Sequence, residues 1–181
     1  YHSKFGTAKS SFDHTYSGGS INKLEINGVE VSEFLFNAYA ASDFKVPVIL
    51  VAGDAQLLED DVKKYAPWVE TVALKRSLSR VSAKSPGMAR IESELKKAVD
   101  KAVANFKRKK VKLLVAGKPV KSRVTFLASH FADVAGLLPS VKRVDGLSVE
   151  YTAKSMVDAY KTFELLVLAA AGISSLLTNL S

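Results

Sequence analysis

A chain of 181 residues, 48% hydrophobic and 24% charged, is long enough to bury a core without covalent staples, and its length points to one domain. It contains no cysteine, which excludes a disulfide framework, a thiolate metal site and a cysteine nucleophile, so any metal must be held by His, Asp or Glu. A net charge of +8 raises nucleic acid as a partner, but the 26 Lys and Arg are spread along the chain rather than gathered with aromatics on one face, so no nucleic-acid binding is expected.

Residues 1–20, rich in Ser, Gly, Thr and Lys without a sustained period, read as a loop that crosses the surface or lines a site. Alternating apolar and polar residues around Asn27-Gly28 predict a hairpin with strands at 23–26 and 29–31. Ser32 then caps a helix running to about Phe44. The run VPVILVA at 46–52 has the composition of a strand covered on both faces, and Gly53-Asp54 turns it into a helix at 55–65. A strand follows at 69–75. Ser85-Pro86 opens a long amphipathic helix to about Arg108, with Met88, Ile91, Leu95, Ala98, Val99, Ala102 and Phe106 down one side. The basic run Lys107–Lys110 with Lys112 falls at its end, where cations favour the helix dipole.

A strand at 124–129, a short helix at 131–138, a hairpin at 141–151 pivoting on Asp145-Gly146, and a final helix at 153–177 complete the series. The most apolar stretch, residues 165–173, lies between Glu164 and Ser174-Ser175 and is shorter than the ~20 residues of a membrane span, so a buried helix and no membrane partner are expected. No charged segment followed by an apolar one opens the chain, and the expected compartment is the cytoplasm. Strands alternating with helices predict an α/β fold: a mixed sheet with flanking helices, and β-hairpins near the start and before the last helix. Within one domain, 1–54 carries the candidate site and 55–181 forms the body.

The candidates for chemistry are few. His2 and His14 share the first loop, and Glu33 opens the helix behind Ser32; on residue type alone they are either metal-assisted chemistry or solvated loop and first-turn side chains. Asn37, one turn after Glu33, can orient that carboxylate or bond a substrate. Asp54 lies at the carboxyl end of a strand, where α/β sheets place ligands, although the helix-cap reading is the stronger. Lys75 and Arg80 are either receivers of a peptide carboxylate or solvated charges. His130, between a strand and a helix, reads as structural.

The order of these residues in context resembles the zinc-dependent D-aminopeptidases. Tyr1-His2-Ser3, Asp13-His14-Thr15, Ile26-Asn27-Gly28 and Glu33-Phe34-Leu35-Phe36-Asn37-Ala38-Tyr39 carry the resemblance, followed by Val46 to Asp54, Val72 to Arg80 and Ser85-Pro86. It implies a metallo-aminopeptidase with two Zn2+ ions, removing amino-terminal residues, of D configuration, from short peptides, in a family that assembles into homo-oligomeric rings. Position by position, it makes His2 and Glu33 zinc ligands and His14 a catalytic proton shuttle that is not a permanent ligand. The family's remaining ligands lie in Asp-x-Glu-Gly and Asn-Asp-x-His motifs that are absent from these residues, so the resemblance implies a segment preceding Tyr1. Ala55 stands where the family often has a second acidic residue. The alternative reading is a non-enzymatic assembly or binding protein that keeps the fold with an incomplete metal site.

Overall fold

The computed structural model describes residues 1–180. The chain divides into two compact units, Tyr1–Asp13 with Ser32–Val115, and His14–Val31 with the stretch from Ala116 onward.

The first unit begins with an irregular segment, as its composition predicts, and continues at α1 (Glu33–Asp43). Ser32 caps this helix by accepting a hydrogen bond from Leu35 N–H at 3.3 Å. β3 (Leu50–Asp54) pairs in parallel with β4 (Glu70–Ser79), from Leu50 opposite Glu70 onward, and β4 turns back antiparallel onto β5 (Ser82–Lys84). The expected strand at 46–52 is therefore displaced towards the carboxyl end. The last turn of α1 holds Val46 instead, whose N–H donates to Ala41 O at 3.1 Å, and Pro47 has no N–H to give a ladder. Nor is that run covered on both faces, since Val46 is 55% exposed and only Val51, Gly53 and Asp54 of β3 are buried. β5 went unpredicted because it is three residues long, Ser82, Ala83 and Lys84, and exposed throughout.

Between β3 and β4 the chain is helical as predicted: α2 (Ala55–Leu57), a π-helical turn (Leu58–Val62) and α3 (Lys63–Tyr65), burying Ala55, Leu57, Leu58 and Val62. α4 (Met88–Lys107) contacts β3 and β4, and Lys101 and Asn105 hold it to Glu70 at 2.9 and 2.8 Å. Its predicted apolar side is largely uncovered: Ala102 is buried, while Met88, Val99 and Phe106 stay exposed. The basic run sits at its carboxyl end.

The second unit is a five-stranded antiparallel sheet of order β2-β1-β6-β8-β7, made by β1 (Ile21–Ile26), β2 (Val29–Glu30), β6 (Val120–Phe126), β7 (Val141–Arg143) and β8 (Ser148–Ala153). Asn27 and Gly28 both take positive φ, 50° and 79°, which is what a two-residue hairpin turn requires. β6 starts four residues before its predicted position. VKSRVTF alternates strictly, with Val120, Ser122, Val124 and Phe126 buried, and it is this alternation, more than apolarity, that marks the strand. Consequently Ser129 begins α5 (Ser129–Ala135) rather than ending a strand. The predicted hairpin on Asp145-Gly146 is present, its turn closed by Asp145 Oδ1 accepting from Leu147 and Ser148 N–H, both at 2.8 Å.

α6 (Met156–Leu180) starts three residues later and ends later than predicted. Met156, Ala159, Phe163, Leu166 and Ala170 are buried at the three- and four-residue spacing of one helical face. The expectation of a wholly buried helix fails on the other face, where Leu165 and Leu168 are 49% and 62% exposed. By length and composition α6 is also sufficient to cross a membrane, since it is the whole helix and not the apolar stretch alone that counts. Tyr16 packs edge-on against Phe163, with ring centroids 5.3 Å apart. His130 lies against Phe131, ring centroids 4.2 Å apart.

Candidate metal centre

The opening loop has no regular structure of its own, so its shape depends on anchors. Tyr1 lies alongside β3: its nitrogen donates to Ala52 O at 3.1 Å and its carbonyl accepts from Asp54 N–H at 2.9 Å. That approach requires glycine, because a Cβ at position 53 would fall 2.3 Å from Tyr1 O. A second anchor is a buried polar chain. Ser77 hydroxyl donates to Asp54 Oδ2, accepts from Ser11 N–H at 2.8 Å and lies 2.8 Å from Ser11 Oγ, which takes a further hydrogen bond from Lys75 Nζ at 2.5 Å. A third is Asp13, 3% exposed, whose carboxylate accepts from Gly6 N–H at 2.6 Å and pairs with Arg80 at 3.3 Å. Arg80 in turn lies over the Phe5 ring, 5.6 Å from its centroid. These bonds hold Lys9 and Phe12 in left-handed backbone, at φ 53° and 57°, a conformation that ordinary residues adopt only under such constraint.

His2 is thereby fixed one residue beyond the Tyr1–Gly53 contact, its Nδ1 3.0 Å from Ser3 O. Glu33 is placed by a different device, the Ser32 cap, which sets the first turn of α1. Asn37, one turn on, donates to Tyr1 hydroxyl at 3.3 Å and so ties the helix to the loop. His14 follows Asp13 directly and opens the second unit. The outcome within the first unit is a pairing: one ligand atom each from His2 and Glu33 lie within 4.8 Å of one another, both side chains half-buried.

The imidazole of His2 and the carboxylate of Glu33 are donors that suit zinc. Ligands 2.0–2.1 Å from a tetrahedral ion sit ~3.4 Å apart, so small side-chain rotations bring these atoms into range. Beside His2 opens a cavity of about 320 Å³ whose wall also includes Tyr1, Gly53, Leu74, Lys75 and Ser85.

The remaining sequence candidates have definite places. Asp54 is fully buried and caps the helical segment, accepting from Gln56 N–H at 3.0 Å, as the stronger sequence reading expected. Lys75 faces the cavity; Arg80 is engaged with Asp13, with 57% of its side chain exposed. Ser11, Asp13, Gly53 and Ser77 were not singled out by sequence reasoning. Asp13 adjoins His14 and Gly53 adjoins Asp54, so proximity to the candidates was a usable signal for those two. Ser11 and Ser77 meet across 66 positions, and nothing local to either announces it.

The family model for the D-aminopeptidases, peptidase family M55, matches residues 1–165. A curated D-aminopeptidase of Bacillus subtilis (strain 168) is 32% identical over 143 residues, which cover 78% of this chain and 51% of that protein. A solved structure described as the Zn-dependent D-aminopeptidase DppA from Bacillus subtilis, a self-compartmentalizing protease, superposes with a TM-score of 0.87 at 28% identity, over 94% of this chain and 61% of that one. The chain thus spans about half the length of the curated relative. Matched in sequence over its loop, hairpin, helix and sheet, and in fold over nearly all of its length, this chain belongs to the D-aminopeptidase family.

Proposed function

We propose that this chain forms part of a zinc-dependent cytoplasmic aminopeptidase that removes amino-terminal D residues from short peptides. The observation that carries the reading is the convergence of His2 and Glu33, drawn from a loop and a helix that are far apart in sequence. His2 and Glu33 would hold the metal; further ligands come from outside this chain's own cluster. When bound there, zinc supplies a water acidified to a pKa of ~7 and a polarised scissile carbonyl. His14 then has the work of an acid–base group: its imidazole takes a proton from the water side and returns it to the leaving amine. Asn37 steadies the approach of loop to helix through Tyr1 hydroxyl.

Self-association into a homo-oligomer belongs to the same proposal. The self-compartmentalizing character of the Bacillus relative supports it, as do the exposed apolar side chains along α4.

The test combines metal content with product release. The purified protein should contain zinc by elemental analysis and should free D-alanine from an amino-terminal D-alanyl peptide, while His2→Ala should lose both. Zinc bound undiminished by His2→Ala sinks the assignment of the centre; hydrolysis undiminished by chelation sinks the metal-dependent reaction.

A further inference from the structure

We propose that Lys75 receives the carboxylate of a short peptide whose amino-terminal residue lies at the His2–Glu33 centre. This rests on the hydrolase reading and deepens it.

His2 and Lys75 line one cavity, of about 320 Å³, with Tyr1, Gly53, Leu74 and Ser85. That volume is at the small end for a ligand site, which suits two or three residues and not an extended chain. The ammonium is held in place. Among the described residues its hydrogen-bond partner is a neutral oxygen, Ser11 Oγ at 2.5 Å, and the Phe12 ring centroid lies 5.9 Å away. Asp54 Oδ2 is 3.9 Å from it, beyond hydrogen-bond distance, and the Asp54 carboxylate is already served by Ser77 hydroxyl and Gln56 N–H. An ammonium has three donors, so Lys75 retains capacity for an incoming anion while 27% of its side chain stays open to solvent.

The surroundings favour the same sign of ligand. A second cavity, of about 290 Å³, is walled by Lys75 and Ser85 again, together with Arg76, Lys84, Arg90 and Glu94. Arg76 and Arg90 have carboxylate partners, Glu59 at 3.3 Å and Glu94 at 2.7 Å, and of these four cations Lys75 is the one that also lines the first cavity. A charge-assisted bond from it to a carboxylate is stronger than any bond it can make to a carboxamide.

The experiment is a calorimetric titration of the zinc-saturated protein with a D-alanyl dipeptide analogue whose peptide bond is replaced by a methyleneamine link, as the free acid and as the carboxamide. The acid should bind about tenfold more tightly than the carboxamide. Lys75→Met should abolish the difference between acid and carboxamide, apart from any loss common to both from its hydrogen bond to Ser11, and Lys75→Arg should restore part of that difference. Equal affinity of the two forms for the unaltered protein, binding of neither, or an acid preference that survives Lys75→Met overturns the assignment. If Lys75→Met does not fold, the acid-to-carboxamide ratio of the unaltered protein and of Lys75→Arg decides alone. Hydrolysis without an acid preference would remove Lys75 from the site and leave the aminopeptidase standing; an acid preference without hydrolysis would do the reverse.

Discussion

His14 differs from His2 and Glu33 in how it is held. His2 sits directly beside a backbone ladder and Glu33 in the first turn of a capped helix, whereas His14 depends on Asp13, whose carboxylate is bonded to Gly6 N–H and Arg80. The family resemblance makes His14 a proton shuttle and not a permanent ligand. We therefore expect His14→Ala to retain zinc near the level of the unaltered protein while the rate of D-alanyl peptide hydrolysis falls roughly 10²- to 10⁴-fold, as on loss of a general acid or base. Elemental analysis run beside steady-state kinetics separates the outcomes. Zinc lost in parallel with activity would make His14 a ligand, and unchanged activity would make it a solvated loop residue.

At the scale of elements, the carboxyl end of β3 positions both the loop and the helical segment. Gly53 admits the Tyr1 backbone, and Asp54 caps the next helix while accepting from Ser77 on β4. Gly53→Ala should accordingly move Tyr1 and His2 away from β3, because the new Cβ would meet backbone oxygen at 2.3 Å and a main chain cannot turn aside as a side-chain tip can. The expected result is a zinc affinity lowered at least about tenfold, with the far-ultraviolet circular dichroism preserved since the ladder between β3 and β4 is untouched. Unaltered zinc affinity in a competition titration with a chelator would show that the Tyr1 contact does not set the site. The π-helical turn at Leu58–Val62 buries Leu58, Asp61 and Val62, and we have no physical account of why it replaces an α-helical turn.

For the whole molecule, the apolar surface left uncovered on α4 is the feature that bears on assembly. Met88, Val99, Val103 and Phe106 are exposed in proportions of 68%, 45%, 38% and 50% on a helix whose opposite face carries charge. Multi-angle light scattering should return a mass several times the 19.6 kDa of this chain. A single species at the monomer mass would remove self-association from the proposal.

Hairpins, the capped helix α1 and the β3–α2 turn were legible in the sequence, because each is set by residues within a few positions: Asn27-Gly28 by its tolerance of positive φ, Ser32 by its hydroxyl, Asp145 by its reach to two amides. Strand limits were less so. The apolar run at 46–52 begins before β3 and β6 begins among charges, since a ladder ends where its partner ends and not where hydrophobicity does. The types of the site residues could also be read directly, as could the family to which their order belongs. Their meeting could not. His2 and Glu33 come together only because Tyr1 lies against Gly53 and Ser11 against Ser77, and such pairings, 52 and 66 positions apart, are decided by the packing of strands that neither residue can specify locally.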